Sequence, residues 1–343
     1  MLEKIKNNIF SIAYSLTILI TFADAYKSRT SIHTYIHISS RTIEVWAIFL
    51  LIILRIFWNQ KLNGKLYKLN TYIIFPITLI VGVAFTIWDY FTPPNLVYSL
   101  TLIQYTQLVY IAAFTGIVWL LSHDNSWFKK HYEKVIFFGS ISYLLTAFVI
   151  SLFPNDMFAK LSQEDHLIEN TQVVVLLLGV YWAVKAAKIF LKKHSTINAF
   201  IFILVAVALI FVAGDEISWG QRIFHIATPT DLAKINDQKE ITVHNIDLFD
   251  RYVGVGYMVI GFYGSVMWII QKFIKKLKNI PFTYYIPPWF CSIFFFSAFF
   301  YNFYTRTHPY HHIGVWSEST ELMLYSGIMF TLLSIFLNIK NES

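Results

Sequence analysis

Charge is scarce in this chain. Only 14% of its 343 residues are Asp, Glu, Lys or Arg, against roughly 25% in an ordinary soluble domain. A soluble fold of this length could not cover its surface with so few. Cysteine is almost missing: Cys291 stands alone, which excludes a disulfide scaffold. Thirteen glycines and nine prolines exclude a collagen-like repeat. A hydrophobic share of 56% excludes a disordered chain. The sequence has no P-loop, no GxSxG and no HExxH, so the familiar phosphate cradle, nucleophile elbow and zinc-helix chemistries are out. It has no pore-filter motif, no internal repeat and no low-complexity tract.

What is present is apolar and aromatic. There are 10 Trp, 21 Tyr and 32 Phe, and the mean hydropathy is +0.54. A spanning helix needs about 20 mainly apolar residues. Ten segments qualify: 8–24, 43–59, 71–89, 96–121, 135–153, 167–190, 197–214, 252–271, 283–304 and 319–338. The pattern predicts an all-α, polytopic transmembrane bundle of about ten spans, a single integral membrane domain over 1–343. Pro76 is expected to kink the third span, and Pro287 with Pro288 to mark the start of the ninth. Lys4, Lys6 and Ala23-Asp24-Ala25 resemble a cleavable signal peptide. An uncleaved first helix is preferred, because Asp24 interrupts the small-residue site.

The net charge of +7 is not a nucleic-acid signature. The bases lie in short clusters between apolar runs, as in the cytoplasmic loops of membrane proteins. With both termini cytoplasmic, 17 Lys and Arg fall in inner segments and 9 in outer ones. Arg55, inside the second span, can snorkel to its inner end. The acids run the other way: 16 of 20 fall outside or at outer helix ends. Insertion rules do not require that skew. All histidines except His123, His131 and His194 are also outer. Polar chemistry is therefore expected on the extracytoplasmic face.

Four constellations carry it. Gly214-Asp215-Glu216-Ile217-Ser218-Trp219-Gly220-Gln221-Arg222 closes the seventh span. Adjacent carboxylates at a helix C-terminus are unfavourable, and their proximity pushes one pKa upward, which suits acid–base work. The plainer reading is a salt bridge to Arg222, Arg251 or Arg306. Glu164, Asp165 and Glu169 enter the sixth span, where Ser162 and Asp165 look like helix caps. Glu169, one turn deeper, is the catalytic candidate. His308, His311 and His312, followed by Glu318 and Glu321, offer metal-ligand types. Interfacial surface histidines and first-turn helix acids are the plainer reading. The loop 215–251, the longest hydrophilic stretch, carries His225, Thr228-Pro229-Thr230-Asp231, which reads as a helix start, and His244-Asn245. Asp89, Gln104, Thr106 and Gln107 are candidates for a pocket floor or for interhelical hydrogen bonds.

Residues Asp215–Arg222, Glu164–Glu169 and His244-Asn245 resemble a family of uncharacterised bacterial polytopic inner-membrane proteins with an E-E-x-S-W-G-Q-R segment. Asp215 stands where that family has Glu. The resemblance covers about 160–250 and implies a bacterial inner-membrane location without an activity. CPBP-type intramembrane proteases share an EExxxR motif, but here five residues separate Glu216 from Arg222. The CREST membrane hydrolases use Glu, Ser, Asp and His around zinc; Glu216, Ser218, His308 and His312 supply types but not that order.

The expectation is an outer-face hydrolase or transferase acting on a lipid or lipid-linked substrate. Asp215, Glu216, Glu169, Arg222 and His244 are its catalytic candidates. Ser218, Trp219, Gln221, Asn245, Glu164 and Asp165 would contact substrate. His308, His311, His312, Glu318 and Glu321 would hold a divalent metal such as zinc. The lipid bilayer is the expected partner, nucleic acid is not, and protein partners are open. A transporter and a non-catalytic assembly protein are the alternatives. Missing midplane charges count against the transporter.

Overall fold

The computed structural model describes residues 125–151, 167–221, 226–236, 241–242, 246–273, 284–308 and 313–341. The first four expected spans lie outside them. The chain separates into two compact units, Met1–His131 with Phe153–Asn155, and Tyr132–Leu152 with Asp156–Ser343. The described residues fall almost entirely in the second unit.

The described residues are mainly helical, with short 3-10 turns and one isolated bridge, Asn236 to Ile246. Six long helices are α1 (Asn125–Ser151), α2 (Leu167–Lys192), α3 (Thr196–Glu216), α4 (Asp247–Phe273), α5 (Ser292–Thr307) and α6 (Ser317–Asn341). Among the described residues, four stretches are long and apolar enough to cross a membrane: Ile168–Lys192, Thr196–Glu216, Tyr252–Phe273 and Gly314–Lys340. The ninth expected span is corrected. Its helix proper begins at Ser292 rather than 283 and has 16 residues. At 1.5 Å per residue that is about 24 Å, and the 3-10 turn that leads into it, at about 2 Å per residue, brings the helical stretch to about 30 Å, the thickness of a hydrocarbon core. Pro288 explains the late start. It is extended (φ −70°, ψ 156°) and precedes a 3-10 turn over Trp289–Cys291, because proline cannot donate to a helix and disfavours helical geometry in the residue before it.

Packing runs in the order α3, α2, α6, α5, α4. In α3 the buried positions are Ala199, Phe202, Ala206, Leu209, Ala213, Asp215 and Glu216. All but Asp215 fall on one register of alternating three- and four-residue steps, a single helix face. Small alanines every seven residues let α2 approach closely. Glu216 is the next position on that face, so the helical register itself carries its carboxylate inward. The opposite face exposes Phe200, Ile203, Leu204, Val207 and Phe211.

The α2–α3 turn closes with Ser195 N–H donating to the Phe190 carbonyl at 2.9 Å, and His194 takes φ 56°. That is a Schellman-type stop with His194 where glycine is usual. Lys193 Nζ donates to the Ile339 carbonyl at 3.2 Å, placing a cation at the negative end of α6. The C-termini of α2 and α6 therefore share one end of the bundle, opposite the end where α3 finishes at Glu216. On the α4–α5 side, a Cβ at Gly261 would lie 2.6 Å from the Phe299 backbone nitrogen. Only glycine admits that approach of two backbones.

Candidate carboxylate site

Glu216, Glu318 and Glu321 each place a carboxylate oxygen within 4.8 Å of the others. Two helices build this trio. α3 brings Glu216 on its buried face. α6 brings Glu318 and Glu321, one turn apart, with Tyr325 one turn further along the same face. The acids sit at the start of α6, where its dipole favours negative charge. Glu216 sits at the end of α3, where the dipole does not. It is also 6% exposed, so it needs local compensation.

Part of that compensation is a tyrosine relay. Tyr325 Oη donates to Glu216 Oε1 at 2.8 Å. Tyr325 Oη also lies 2.5 Å from Tyr257 Oη. A phenol has one proton, and Tyr325 has given its own to Glu216. The donor in the second bond is therefore Tyr257, on α4. Ser317 Oγ donates to Glu321 Oε1 at 3.1 Å. Gln172, on α2 and fully buried, donates from Nε2 to the Glu318 carbonyl at 2.9 Å and to its Oε2 at 3.0 Å. Four helices thus converge on three carboxyl groups. Two ionised carboxylates 4.8 Å apart repel by about 3.5 kcal/mol at an effective dielectric near 20. Such a trio persists only with shared protons, a nearby cation, or both.

The backbone just after Glu216 is unusual. Ser218, Trp219 and Gly220 all have positive φ, 47°, 53° and 76°. Left-handed geometry costs a non-glycine residue about 1–3 kcal/mol. The strain folds the Trp219 ring back onto α3, edge-on to Phe211 at 5.4 Å. Gly214 makes room for it, since a Cβ there would meet the ring at 2.8 Å.

The other expected residues take different places. Asp215 and Ser218 are buried beside Glu216 in sequence, outside the carboxylate trio. Glu169 is half-buried on α2, one turn before Gln172, and is not a member of the trio. Gln221 is committed to the loop: its Nε2 donates to Thr228 Oγ1 at 2.5 Å, and its Oε1 accepts from Ile241 N–H at 2.7 Å. Asn236 adds two bonds to Thr242. The expected helix start at Thr228–Asp231 is a single 3-10 turn, Leu232–Lys234, and Asp231 does not cap it. Its carboxylate pairs with Lys234 at 3.0 Å instead. His308 is exposed and stacked on Tyr304 at 4.4 Å, away from the trio's membership. Glu164, Asp165, Arg222, His244, Asn245, His311 and His312 lie outside the described residues, as does His225. Arg306 is exposed and packs against Gly254.

Sequence reasoning missed Gln172, Tyr257, Tyr325 and Ser317. Tyr325 had one available signal: it falls seven residues after Glu318 and four after Glu321. No protein-family model, curated protein or solved structure matches the chain. The site is therefore read from its own geometry.

Proposed function

We propose that this chain is a multi-pass enzyme of a bacterial cytoplasmic membrane, with ten spans and both termini cytoplasmic. It acts on a lipid or lipid-linked substrate at the outer face, as a hydrolase or group transferase. The observation that carries this reading is the convergence of Glu216, Glu318 and Glu321 at one end of the bundle, opposite the Lys193 end. Lysine-rich ends belong on the cytoplasmic side, which supports an outer-face reading for the carboxylates.

In this reading a carboxylate of the trio is the general base. It takes the proton of a water or alcohol oxygen as that oxygen bonds to the substrate's acyl or phosphoryl centre. A second, protonated carboxyl returns a proton to the leaving oxygen. Close carboxylates suit the two roles because proximity splits their pKa values. The Tyr257–Tyr325 relay holds Glu216 in place. The apolar flanks of α3 let an acyl chain lie alongside.

The test is lipid profiling of a deletion strain carrying wild type or Glu216→Gln. The substrate class should accumulate in the deletion, return to normal with wild type, and stay high with the variant at equal protein level. Full rescue by Glu216→Gln would remove the catalytic reading.

A further inference from the structure

We infer that the Glu216–Glu318–Glu321 cluster holds one hard divalent cation, of the Mg2+, Mn2+ or Ca2+ class rather than zinc. This deepens the enzymatic reading above and rests on it for its catalytic consequence. The first observation is spacing. Two oxygens on one ion lie no further apart than twice the metal–oxygen distance, about 4.0–4.2 Å for Mg2+ and about 4.6–5.2 Å for Ca2+. The three carboxylate oxygens lie within 4.8 Å of one another. One ion can reach all three with small side-chain adjustments.

The second observation is independent of the acids. Gln172 is fully buried, and its Oε1 accepts no hydrogen bond. An orphaned buried acceptor costs about 1–3 kcal/mol and needs an explanation. Its amide is fixed, because Nε2 is held on Glu318. Oε1 belongs to the same planar amide as Nε2, which is bonded to Glu318 of the cluster. A hard cation keeps some of its waters, and a polarised, metal-bound water needs an acceptor. Gln172 Oε1 is that acceptor, or a direct ligand.

The third observation is donor type. Among the described residues the surrounding groups are carboxylate, phenol, hydroxyl and amide oxygens. Zinc favours nitrogen and sulfur donors, while all-oxygen sets suit Mg2+, Mn2+ and Ca2+. Tyr325, which donates to Glu216 Oε1, supplies the outer-shell bond that orients a ligating carboxylate. Of the histidines expected from sequence to hold zinc, His308 is exposed and stacked on Tyr304, and His311 and His312 lie outside the described residues.

The experiment is Mn2+ titration of the purified full-length protein in lipid nanodiscs, read by electron paramagnetic resonance. One Mn2+ per chain is expected, displaced by excess Mg2+ or Ca2+. Glu216→Gln and Glu321→Gln should weaken binding at least tenfold. Asp231→Asn, at an exposed carboxylate outside the cluster, should leave it unchanged. Should a Gln variant fail to fold, Glu318→Asp keeps the charge while shortening its reach, and weakened binding is again expected. The wild-type protein should also unfold at a higher temperature with Mn2+ present. Absence of stoichiometric binding in wild type, or equal binding in the Glu variants, overturns the site. Zinc binding with refusal of Mn2+ overturns the oxygen-donor assignment. The lipid profile separates this proposal from the enzymatic one. Lost rescue by Glu216→Gln without metal binding would leave an acid–base enzyme. Metal binding with full rescue would leave a structural cation site.

Discussion

α3 and α6 are both long enough to span a membrane, yet they invert the rule of soluble proteins. α3 is the more apolar, and only 28% of its 18-residue apolar window is buried; for the corresponding window within Gly314–Lys340 the share is 67%. The polar helix is the inner one. Ser319, Thr320, Ser326, Thr331 and Ser334 are all buried along α6. In water, burial selects apolar side chains. In lipid the outside is already apolar, so association comes from close packing and interhelical or intrahelical hydrogen bonds. The difference teaches where chemistry can be housed: the more buried helix is the one that can carry Glu318, Glu321 and Tyr325.

Three substitutions can break or sharpen that contrast. The largest effect is expected at Leu324, 1% exposed in α6. Leu324→Ala leaves a cavity and should cost about 2–5 kcal/mol in detergent unfolding; a change under half a kilocalorie would deny α6 its central position. Next is Val207, 58% exposed on α3. A surface change in water is worth within about 0.5 kcal/mol. Lysine at the centre of a lipid-facing span costs about 2.5–3.5 kcal/mol. Val207→Lys should therefore lower the inserted fraction in a glycosylation-reporter assay, and unchanged insertion would place that face in water. The smallest effect is expected at Thr331, whose Oγ1 donates to the Gly327 carbonyl within its own helix at 2.7 Å. Thr331→Val should cost about 0.6 kcal/mol by the same unfolding assay, since the carbonyl keeps its helical partner.

Much of the helical layout was legible in the sequence, because apolar run length reports directly on it. The segments 167–190, 197–214 and 319–338 correspond to α2, α3 and α6 within a few residues. For the ninth segment the apolar run starts at 283, but Pro287 with Pro288 mark the start of its helical part, as expected, and the helix proper follows at Ser292. Thr228–Asp231 looked like a capped helix, but Asp231 found Lys234 three residues on. Glu216 could be picked out as a carboxylate at an expensive position. Its meeting with Glu318 and Glu321, about a hundred residues later, could not: helix neighbours depend on packing order, which hydropathy does not encode. Gln172 and the two tyrosines were invisible for the same reason. They are ordinary residues until four helices bring them to one point.

Glu216 and Glu321 share one site. A double-mutant cycle tests it most directly. The unfolding free energies of wild type, Glu216→Gln, Glu321→Gln and the double variant would be measured in the same detergent. Groups that touch, or that share a cation or proton, couple by about 0.5–3 kcal/mol, whereas distant groups add within about 0.3–0.5 kcal/mol. Non-additivity of at least about 0.5 kcal/mol is expected for a shared site. Strict additivity would contradict it, and the carboxylates of α3 and α6 would then be two separate helix ends.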